Sequence, residues 1–358
     1  MSKKRIAILY GGRSVEHGVS INSARNIFQY IDKNLFEPIP IGISLKGVWY
    51  KTDAITKEIE KGEELSLRLN PDSPSFSSKT GSFNVDMIFP VLHGTDGEDG
   101  SIQGLIKAMD IPMIGTGVSG SAMSMSKLVA KRLLKEAGLP VNKFLFSYFS
   151  DKKQFTFEEI EKELGLPFMV KAANLGSSVG VSKVKSKDDF EKAVNEAFKF
   201  DECLLFEEFI EGREIECAIL GNDPAQASLP GEIIISGKYD FYTFDAKYVD
   251  GKAVSIDVPA NIEASLVEKI RAVSIKSYQA LGCEDFSRVD LFLTQRGDIF
   301  VNEINTIPGF TNSSMFPMMW KERGISFCEL ITTLAELADA RYKKSKRVAR
   351  DYQSALNF

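Results

Sequence analysis

The sequence has 358 residues, of which 44% are hydrophobic and 26% charged, and its formal net charge is -5. That length allows two or three domains, and the acidic balance argues against a nucleic-acid-binding surface spread over the whole protein. Four scattered cysteines without a CxxC pair predict reduced thiols, and two histidines make a His-based zinc or iron centre improbable. No apolar run approaches the roughly 20 residues that cross a bilayer, and the apolar run near the start is too short for a signal peptide. We therefore expect a soluble cytoplasmic protein with no membrane contact and no nucleic-acid partner.

The first third of the chain predicts a doubly wound α/β domain. Residues 5–10 read as a buried strand, residues 20–30 have helical spacing, and residues 36–43 form a second strand, which together make a βαβ unit. Residues 51–84 are polar and predict a peripheral excursion without chemistry. Further strands are expected at 85–90 and 111–114, with a helix at 101–109 between them.

The segment GTGVSG at 115–120 matches the GxGxxG fingerprint of dinucleotide-binding proteins. It follows a predicted strand and precedes a predicted helix at 123–137, so a nicotinamide or flavin site is one interpretation. The acidic residue expected about 20 positions later is not convincingly placed. Gly-rich turns also join strands to helices for purely structural reasons.

The middle of the chain contains a candidate phosphate loop. A strand at 168–172 leads into NLGSSVG at 174–180 and a returning strand at 181–184. Backbone N–H groups and hydroxyls of such a loop can hold phosphate oxygens and close as a lid, and Lys171 on the entering strand adds a positive charge. An ordinary hairpin loop is the alternative. Strands follow at 203–206 and 213–220, and residues 238–257 predict a mobile loop over a site.

The segment 286–315 predicts a β-hairpin whose polar face carries chemistry. Because side chains alternate along a strand, Arg288 and Asp290 share one face, and Glu303 and Asn305 share one face of the partner strand. The apolar neighbours predicted to anchor the hairpin in a core are Val289, Leu291, Phe300 and Ile304. Hard oxygen ligands beside a guanidinium suit Mg²⁺ shared with a phosphate substrate. A solvated polar face is the alternative.

Several motifs then coincide in order: GGRSVEHGVS (11–20), HGTDGEDGSIQG (93–104), SMSK (124–127), VKAANLGSSVG (170–180), EGREIECAIL (211–220), DAKY (245–248), RVD (288–290) and NEINTIPGFTNSS (302–314). From residue 6 to about residue 335 the chain resembles the D-alanine–D-alanine ligase family of the ATP-grasp superfamily. The resemblance implies three α/β domains, at 1–115, 116–211 and 212–358, with ATP held between the second and third. It also implies a homodimer.

The resemblance implies that ATP activates one D-alanine as an acyl phosphate, which the amine of a second D-alanine then attacks. The implied Mg²⁺ ligands, with Mn²⁺ as a substitute, are Asp290, Glu303 and Asn305. Arg288 and the Gly309 backbone N–H would stabilise the intermediates. The residues implied for ATP are Lys127, Lys171, Ser177, Ser178, Glu207, Glu214 and Lys247.

For the amino-acid substrates, the resemblance implies that Glu16 receives the first ammonium group with His93 nearby, and that Ser314 and the Met315 backbone N–H hold the second carboxylate. Ser177 and Tyr248 would close the site together with Glu16. Departures from the family pattern occur at Gly18, Ala172, Glu208 and Met315. Tyr248 favours a dipeptide, since relatives that make D-alanyl-D-lactate often carry phenylalanine there. The alternatives are a ligase joining D-alanine to D-lactate or another D-amino acid, a nicotinamide-dependent oxidoreductase, and a non-catalytic nucleotide-binding regulator.

Overall fold

A computed structural model of the protein describes residues 3–151, 155–177, 179–235 and 254–349. The described strands form three main sheets and one small sheet, with helices packed against them. This mixture agrees with the predicted α/β class.

The first sheet lies in the N-terminal third. The strands of this part are β1 (Lys4–Gly11), β2 (Phe36–Ile43), β3 (Trp49–Lys51), β4 (Glu63–Glu64), β5 (Ser66–Arg68), β6 (Ser75–Ser78), β7 (Gly81–Phe83) and β8 (Met87–Pro90). Its order is β4-β3-β2-β1-β8, and β1 runs parallel to both β2 and β8. Two helices, α1 (His17–Tyr30) and α2 (Ser101–Ala108), complete the unit. Residues 6–10 of β1 are fully buried, as a central parallel strand requires.

In this third of the chain, one segment contains strands that were not predicted, and one predicted strand was wrong. The excursion after β3 contains a three-stranded antiparallel sheet, β5-β6-β7, which is held by the fully buried ring of Phe76. The strand predicted at 111–114 is only a single bridge between Ile88 and Met113. Short strands in a polar segment give little alternation to detect, and a buried apolar run can also be an irregular connection.

The second sheet follows two short helices. Its elements are α3 (Val118–Met125), α4 (Lys127–Glu136), β9 (Phe144–Tyr148), α5 (Phe157–Leu164), β10 (Phe168–Ala172), β11 (Val181–Val184), α6 (Lys187–Ala197) and β12 (Cys203–Glu208). The order β11-β10-β12-β9 is antiparallel throughout. The prediction of a single helix at 123–137 was wrong, because extended backbone at Ser126 separates α3 from α4. The break lets the Lys127 backbone N–H donate to the Ala173 carbonyl oxygen over 2.8 Å, which fixes α4 beside the end of β10.

The third sheet contains the hairpin. Its part of the chain comprises β13 (Arg213–Leu220), β14 (Gln226–Ala227), β15 (Gly231–Ile235), β16 (Val254–Asp257), α7 (Ala264–Ala280), β17 (Phe286–Leu293), β18 (Ile299–Asn305), α8 (Met315–Glu322) and α9 (Phe327–Ser345). The sheet order is β16-β15-β13-β17-β18, with β14 beside β13. Helix α7 packs on one face of this sheet and buries its apolar side chains. The opposite face is left to line cavities.

The first and third sheets share one apolar core. Phe286 of β17, Phe310 and Phe316 pack together, and Phe89 of β8 meets two of these rings edge to face. The C-terminal helix α9 buries Leu330, Ile331 and Leu334 in the same core as α1. This packing holds the end of the hairpin against the N-terminal third. No helix within the described ranges is long and apolar enough to cross a membrane.

Candidate active site

The hairpin of β17 and β18 presents a charged cluster on the face that turns away from α7. Arg288 donates two hydrogen bonds to Asp290, from Nε to Oδ1 and from a terminal nitrogen to Oδ2, each 2.7 Å long. Asn305 Nδ2 donates to the same carboxylate over 2.9 Å. Strand β13 places Glu216 opposite Asp290, and Glu216 Oε2 lies 2.9 Å from Arg288 Nε. The predicted shared face of Arg288, Asp290 and Asn305 is confirmed, and Glu216 joins it.

A β-bulge changes what the second strand presents. Asp290 pairs with Glu303, but Leu291 pairs with Val301, so Asn302 has no residue opposite it. The side chains of Asn302 and Glu303 therefore both reach the open face, where Lys171 and Lys127 meet them.

The bulge also shifts the anchoring residues of the hairpin. Val301 is fully buried in the core beneath β18, whereas Phe300 is only half-buried and lies opposite Phe292. The prediction of Phe300 as a core anchor was wrong, because strict alternation cannot foresee an extra residue. Val289, Leu291 and Ile304 are buried as predicted.

On one side of the hairpin a cavity of about 520 Å³ lies between the second and third sheets. Lys127 Nζ donates to the Leu175 carbonyl oxygen over 2.5 Å and lies 3.3 Å from Glu303 Oε2. Lys171 Nζ lies 2.9 Å from Glu207 Oε2 and donates to Asn302 Oδ1 over 3.2 Å. The sequence-predicted residues that line this cavity are Lys127, Lys171, Glu207, Glu214, Asp290 and Glu303. Cations and acceptors thus surround a space that suits phosphates and a polar base.

Behind this cavity lies a buried ionic cluster that the sequence did not reveal. Lys131, on α4, is 1% exposed; its Nζ donates to Asn142 Oδ1 over 2.6 Å and lies 3.4 Å from Glu207 Oε1. Asn142 Nδ2 in turn donates to Glu207 Oε2 over 3.2 Å. Burial alone would raise the pKa of Glu207, but Lys131 and Lys171 outweigh burial and lower it to about 2. Glu207 is therefore an ionised, acceptor-only group at any working pH.

On the other side of the hairpin a cavity of about 660 Å³ is bounded by the N-terminal third of the chain. Glu16 and Ser177 are both buried there, and the Ser177 hydroxyl donates to Glu16 Oε1. Ser177 reaches this position with a left-handed φ of 53°, which is a strained conformation for a residue with a side chain. Gly94 is needed opposite, since an added Cβ there would lie 2.6 Å from Glu16 Oε2.

His93 is buried against the loop that follows the hairpin. Its Nδ1 lies 2.8 Å from the Ile307 carbonyl oxygen, which can only accept, so Nδ1 carries the hydrogen. Its Nε2 therefore accepts from the Ser23 hydroxyl over 2.9 Å, and Ser23 Oγ in turn accepts from the Phe310 N–H over 3.2 Å. Burial lowers the pKa of His93, which keeps the ring neutral. His93 thus holds the loop in place while lining the cavity.

Glu98 completes this arrangement and was missed by sequence reasoning. It accepts the N–H groups of Gly94 over 2.8 Å and of Ile307 over 3.0 Å. Burial, reinforced by the charge of Glu16, raises the pKa of Glu98 to about 8. The motif HGTDGEDG contains Glu98, but its contact with a loop 209 residues away is not encoded in local pattern.

The far end of the second cavity is formed by the start of α8. Ser314 precedes the helix, and its hydroxyl oxygen accepts from the Thr311 N–H over 3.0 Å. Met315 is the first helical residue, so its N–H belongs to the helix end that attracts anions. Ser314 Oγ would lie 3.0 Å from a Cβ added at Gly309. Gly309, Ser314 and Met315 therefore line one end of the cavity together.

Three predicted site residues, Ser178, Lys247 and Tyr248, lie outside the described residues. So does most of the predicted mobile loop at 238–257, although its last four residues form β16.

The GxGxxG segment serves a different purpose from the one its fingerprint suggests. The Gly115 N–H donates to Asp285 Oδ2 over 2.9 Å, and the Gly117 N–H donates to Glu284 Oε2 over 3.1 Å. Arg341 of α9 donates to Asp285 and to the Gly115 carbonyl oxygen, each over 2.8 Å. These amides are thus engaged by the protein's own carboxylates, which argues against a pyrophosphate there.

The hairpin fits a magnesium ion only in part. Within the described ranges, no group of three or more His, Cys, Asp or Glu side chains is placed to hold a metal ion. The hairpin offers two carboxylates, Asp290 and Glu303, and the amide oxygen of Asn305. An incomplete set of hard oxygen donors is what Mg²⁺ uses when a substrate phosphate supplies the other ligands.

Known protein families and curated proteins match this chain over most of its length. Residues 5–116 match the family model "D-ala D-ala ligase N-terminus", and residues 133–336 match "D-ala D-ala ligase C-terminus". The curated D-alanine–D-alanine ligase A of Escherichia coli strain K12 is 44% identical over 356 residues, which cover 96% of this chain and 97% of that protein.

Solved structures agree with this. The D-alanine–D-alanine ligase of Coxiella burnetii superposes with a TM-score of 0.86 at 33% identity, covering 97% of each chain. The VanG D-Ala:D-Ser ligase of Enterococcus faecalis also has a TM-score of 0.86, at 36% identity, covering 94% of this chain and all of that one. The fold is accordingly the ATP-grasp fold, and this chain belongs to the D-alanine–D-alanine ligase family.

Proposed function

We propose that this protein joins two D-alanine molecules with ATP, forming D-alanyl-D-alanine for peptidoglycan precursor synthesis. The observation that carries the proposal is the position of the hairpin between two cavities. Glu216 and Glu303 line both cavities, so a nucleotide in one and an amino acid in the other would meet at the same residues. A phosphoryl transfer between two substrates needs such a meeting point.

The nucleotide would occupy the cavity between the second and third sheets. Lys127 would contact its phosphates and Lys171 would lie on the adenine side, while Glu207 and Glu214 would bind the base and the ribose. Ser177 and Ser178 of the Gly/Ser loop would cover the phosphates, and Lys247 would reach the transferred phosphoryl group.

Asp290, Glu303 and Asn305 would hold Mg²⁺, or Mn²⁺ in its place. When bound, such an ion neutralises charge on the phosphate oxygens during transfer. Arg288 would stabilise negative charge beside the same oxygens, and its two hydrogen bonds to Asp290 support this role.

The first step joins the carboxylate of one D-alanine to ATP. A carboxylate oxygen attacks the γ-phosphorus and the bond to the ADP oxygen breaks, which leaves an acyl phosphate. Glu16 would hold the ammonium group of this D-alanine, because a buried carboxylate at the cavity wall is the natural partner of a substrate cation.

The second step forms the peptide bond. The amine of a second D-alanine attacks the acyl carbon and gives up a proton to water, and the bond from the acyl carbon to the phosphate oxygen breaks to release inorganic phosphate. Ser314 and the Met315 N–H would hold the carboxylate of this acceptor, and the Gly309 N–H would stabilise the oxyanion. Ser177, Glu16 and Tyr248 would close the site over both substrates.

A different acceptor is the closest alternative. The VanG D-Ala:D-Ser ligase of Enterococcus faecalis matches the fold of this chain as well as the D-alanine–D-alanine ligase of Coxiella burnetii does. D-serine or D-lactate would then replace the second D-alanine without any change in the hairpin chemistry.

The test is ADP release by the purified protein with Mg-ATP and D-alanine, L-alanine, or D-alanine plus D-serine or D-lactate, with the product mass determined. D-alanine-dependent ADP release with a dialanine product is expected. Preferential formation of D-alanyl-D-serine from an equimolar mixture would replace the acceptor, and no release with any of these substrates would overturn the proposal.

We also place the reaction in the cytoplasm, where ATP is available, and we expect a homodimer from the family resemblance. Light scattering at several concentrations, which reports mass directly, tests the second expectation. A monomer mass throughout would contradict it.

A further inference from the structure

The buried lysine behind the nucleotide cavity has no part in the mechanism above. Lys131 follows Lys127 by four residues on α4, so the two side chains leave the helix on the same face. Lys127 reaches the cavity, whereas Lys131 lies deeper, against Asn142 and Glu207. Burying a lysine costs free energy unless a negative charge balances it. The carboxylate that balances Lys131 is that of Glu207.

Glu207 has more partners than charge balance requires. Lys171 lies 2.9 Å from Oε2, and Asn142 donates to the same oxygen over 3.2 Å. Lys131 lies on the other side, 3.4 Å from Oε1. Asn142 also accepts from Lys131, so it joins the lysine to the carboxylate on a second path. Two ammonium groups and an amide therefore fix both the charge and the orientation of Glu207.

Glu207 nevertheless lines the cavity, and one of its oxygens keeps unused capacity to accept a hydrogen bond. Within the described residues, no hydrogen bond reaches Oε1, which is buried 3.4 Å from Lys131 Nζ. An ionised carboxylate can only accept hydrogen bonds. It therefore favours a base edge that offers an amino group and disfavours one that offers a carbonyl oxygen.

We propose that Lys131 is a positioning residue that keeps Glu207 ionised and oriented, so that the base pocket accepts a 6-aminopurine and rejects a 6-oxopurine. The inference rests on the proposed function in one respect, namely that this cavity binds a nucleotide. Without Lys131, the carboxylate would have one cation instead of two and would take up a proton more readily. A protonated Glu207 could donate to the 6-oxo group, and discrimination would relax.

The experiment compares ATP with GTP in the wild type, Lys131→Met and Lys135→Met. Lys135 lies one turn further along α4 and is exposed, so it is a matched control for the loss of a lysine from this helix. Two readouts are taken: steady-state kcat and KM for each nucleotide, and displacement of a fluorescent ADP analogue, which does not require ligation.

For Lys131→Met we expect the KM for ATP to rise about tenfold with kcat changed by less than about threefold, and the ATP-over-GTP preference to fall about tenfold. That preference should fall further as the pH is lowered from 8.5 to 6, whereas in the wild type and Lys135→Met it should stay constant. A general packing defect would weaken both nucleotides alike and would not make their ratio depend on pH.

The double variant Lys131→Met with Glu207→Gln covers the case in which Lys131→Met does not fold, because it removes one positive and one negative charge and so leaves the net charge of the buried cluster unchanged. If Lys131 acts through Glu207, the double variant should show the same preference as Glu207→Gln alone. An unchanged ATP-over-GTP ratio in Lys131→Met, or a further loss in the double variant, would overturn the inference. Nucleotide displacement that follows these expectations without any D-alanine ligation would overturn the proposed function but leave this inference standing.

Discussion

The two cavities that flank the hairpin hold their charged groups in different ways. In the cavity proposed for the nucleotide, Lys171 and Glu207 form a close ion pair beside a second buried lysine, and Glu207 is ionised at any working pH. In the cavity proposed for the amino acids, Glu16 is held by a serine hydroxyl, and His93 and Glu98 are held by backbone groups.

The difference shows where the site can respond to its surroundings. Ion pairs fix charge over a wide pH range, so the nucleotide cavity should bind its ligand in one protonation state. Backbone partners fix position but balance charge less well. The pKa of Glu98, raised to about 8 by burial and by Glu16, leaves the amino-acid cavity sensitive to pH near neutrality and to an incoming ammonium group.

The largest loss of activity should come from a substitution in the hairpin that both cavities share. Asp290→Asn keeps the size of the side chain but removes the charge that Arg288 grips and that a metal ion would need. We expect kcat to fall by about 10³-fold, with the circular dichroism spectrum and melting temperature little changed.

Asp298→Asn, in the exposed turn of the same hairpin, is the matched control and should retain turnover. Turnover of Asp290→Asn close to that of the wild type would remove Asp290 from the metal site.

A substitution in the cavity proposed for the amino acids should weaken the use of D-alanine without weakening the binding of ATP. Glu16→Gln removes the carboxylate proposed for the substrate ammonium while keeping an acceptor for Ser177. We expect kcat/KM for D-alanine to fall about 10²-fold, since a charge-assisted hydrogen bond is lost. Displacement of a fluorescent ADP analogue by ATP should change less than about twofold.

Glu37→Gln, exposed on β2, serves as the control for this experiment. Equal losses in D-alanine and ATP affinity would mean that Glu16 supports the whole site, and the separation between the two cavities would then fail.

The pH dependence of stability tests the amino-acid side further. A carboxyl group whose pKa rises from 4.5 to about 8 on folding binds more protons in the folded state between those values. The free energy of unfolding should therefore fall as the pH rises from about 5 to 8, by up to about 1.4 kcal/mol per pH unit from this one group. Glu98→Gln should flatten the slope, as measured by urea unfolding at several pH values.

The other titratable groups near Glu98 are Glu16, His93 and Glu303, and they remain in that variant. An identical slope in Glu98→Gln would mean that Glu98 is not the source of the pH dependence.

The sequence predicted strand bounds and side-chain faces correctly where the local alternation of residues is regular. Strands β2, β10, β11 and β13 have the predicted bounds, and the period-two argument placed Arg288 and Asp290 on one face. It failed where one extra residue resets the alternation, as it does between Val301 and Glu303.

Contacts made across the fold were also out of reach of sequence reasoning. The pairing of Lys131 with Glu207 joins residues 76 positions apart, and a lysine on an amphipathic helix is expected to be solvated. The GxGxxG segment misled because its glycines serve close packing and backbone hydrogen bonds to Asp285 and Glu284, which a fingerprint cannot distinguish from phosphate binding.

The smallest effect should come from the residue that the bulge exposes. Asn302 Oδ1 accepts from Lys171 over 3.2 Å, so it restrains an ammonium group whose stronger partner is Glu207. Asn302→Ala removes one hydrogen bond worth about 1 kcal/mol, and we expect the KM for ATP to rise about fivefold with kcat nearly unchanged. Asn84→Ala, which lies outside both cavities, should leave the KM for ATP unchanged.

Combining Asn302→Ala with Lys171→Met shows whether the two residues act as one unit. If Asn302 works only by holding Lys171, its loss should add nothing once the lysine is gone, because interacting residues are not additive. Full additivity would mean that Asn302 contacts the nucleotide itself, and the bulge would then supply a ligand-binding residue to the hairpin instead of a support for its neighbour.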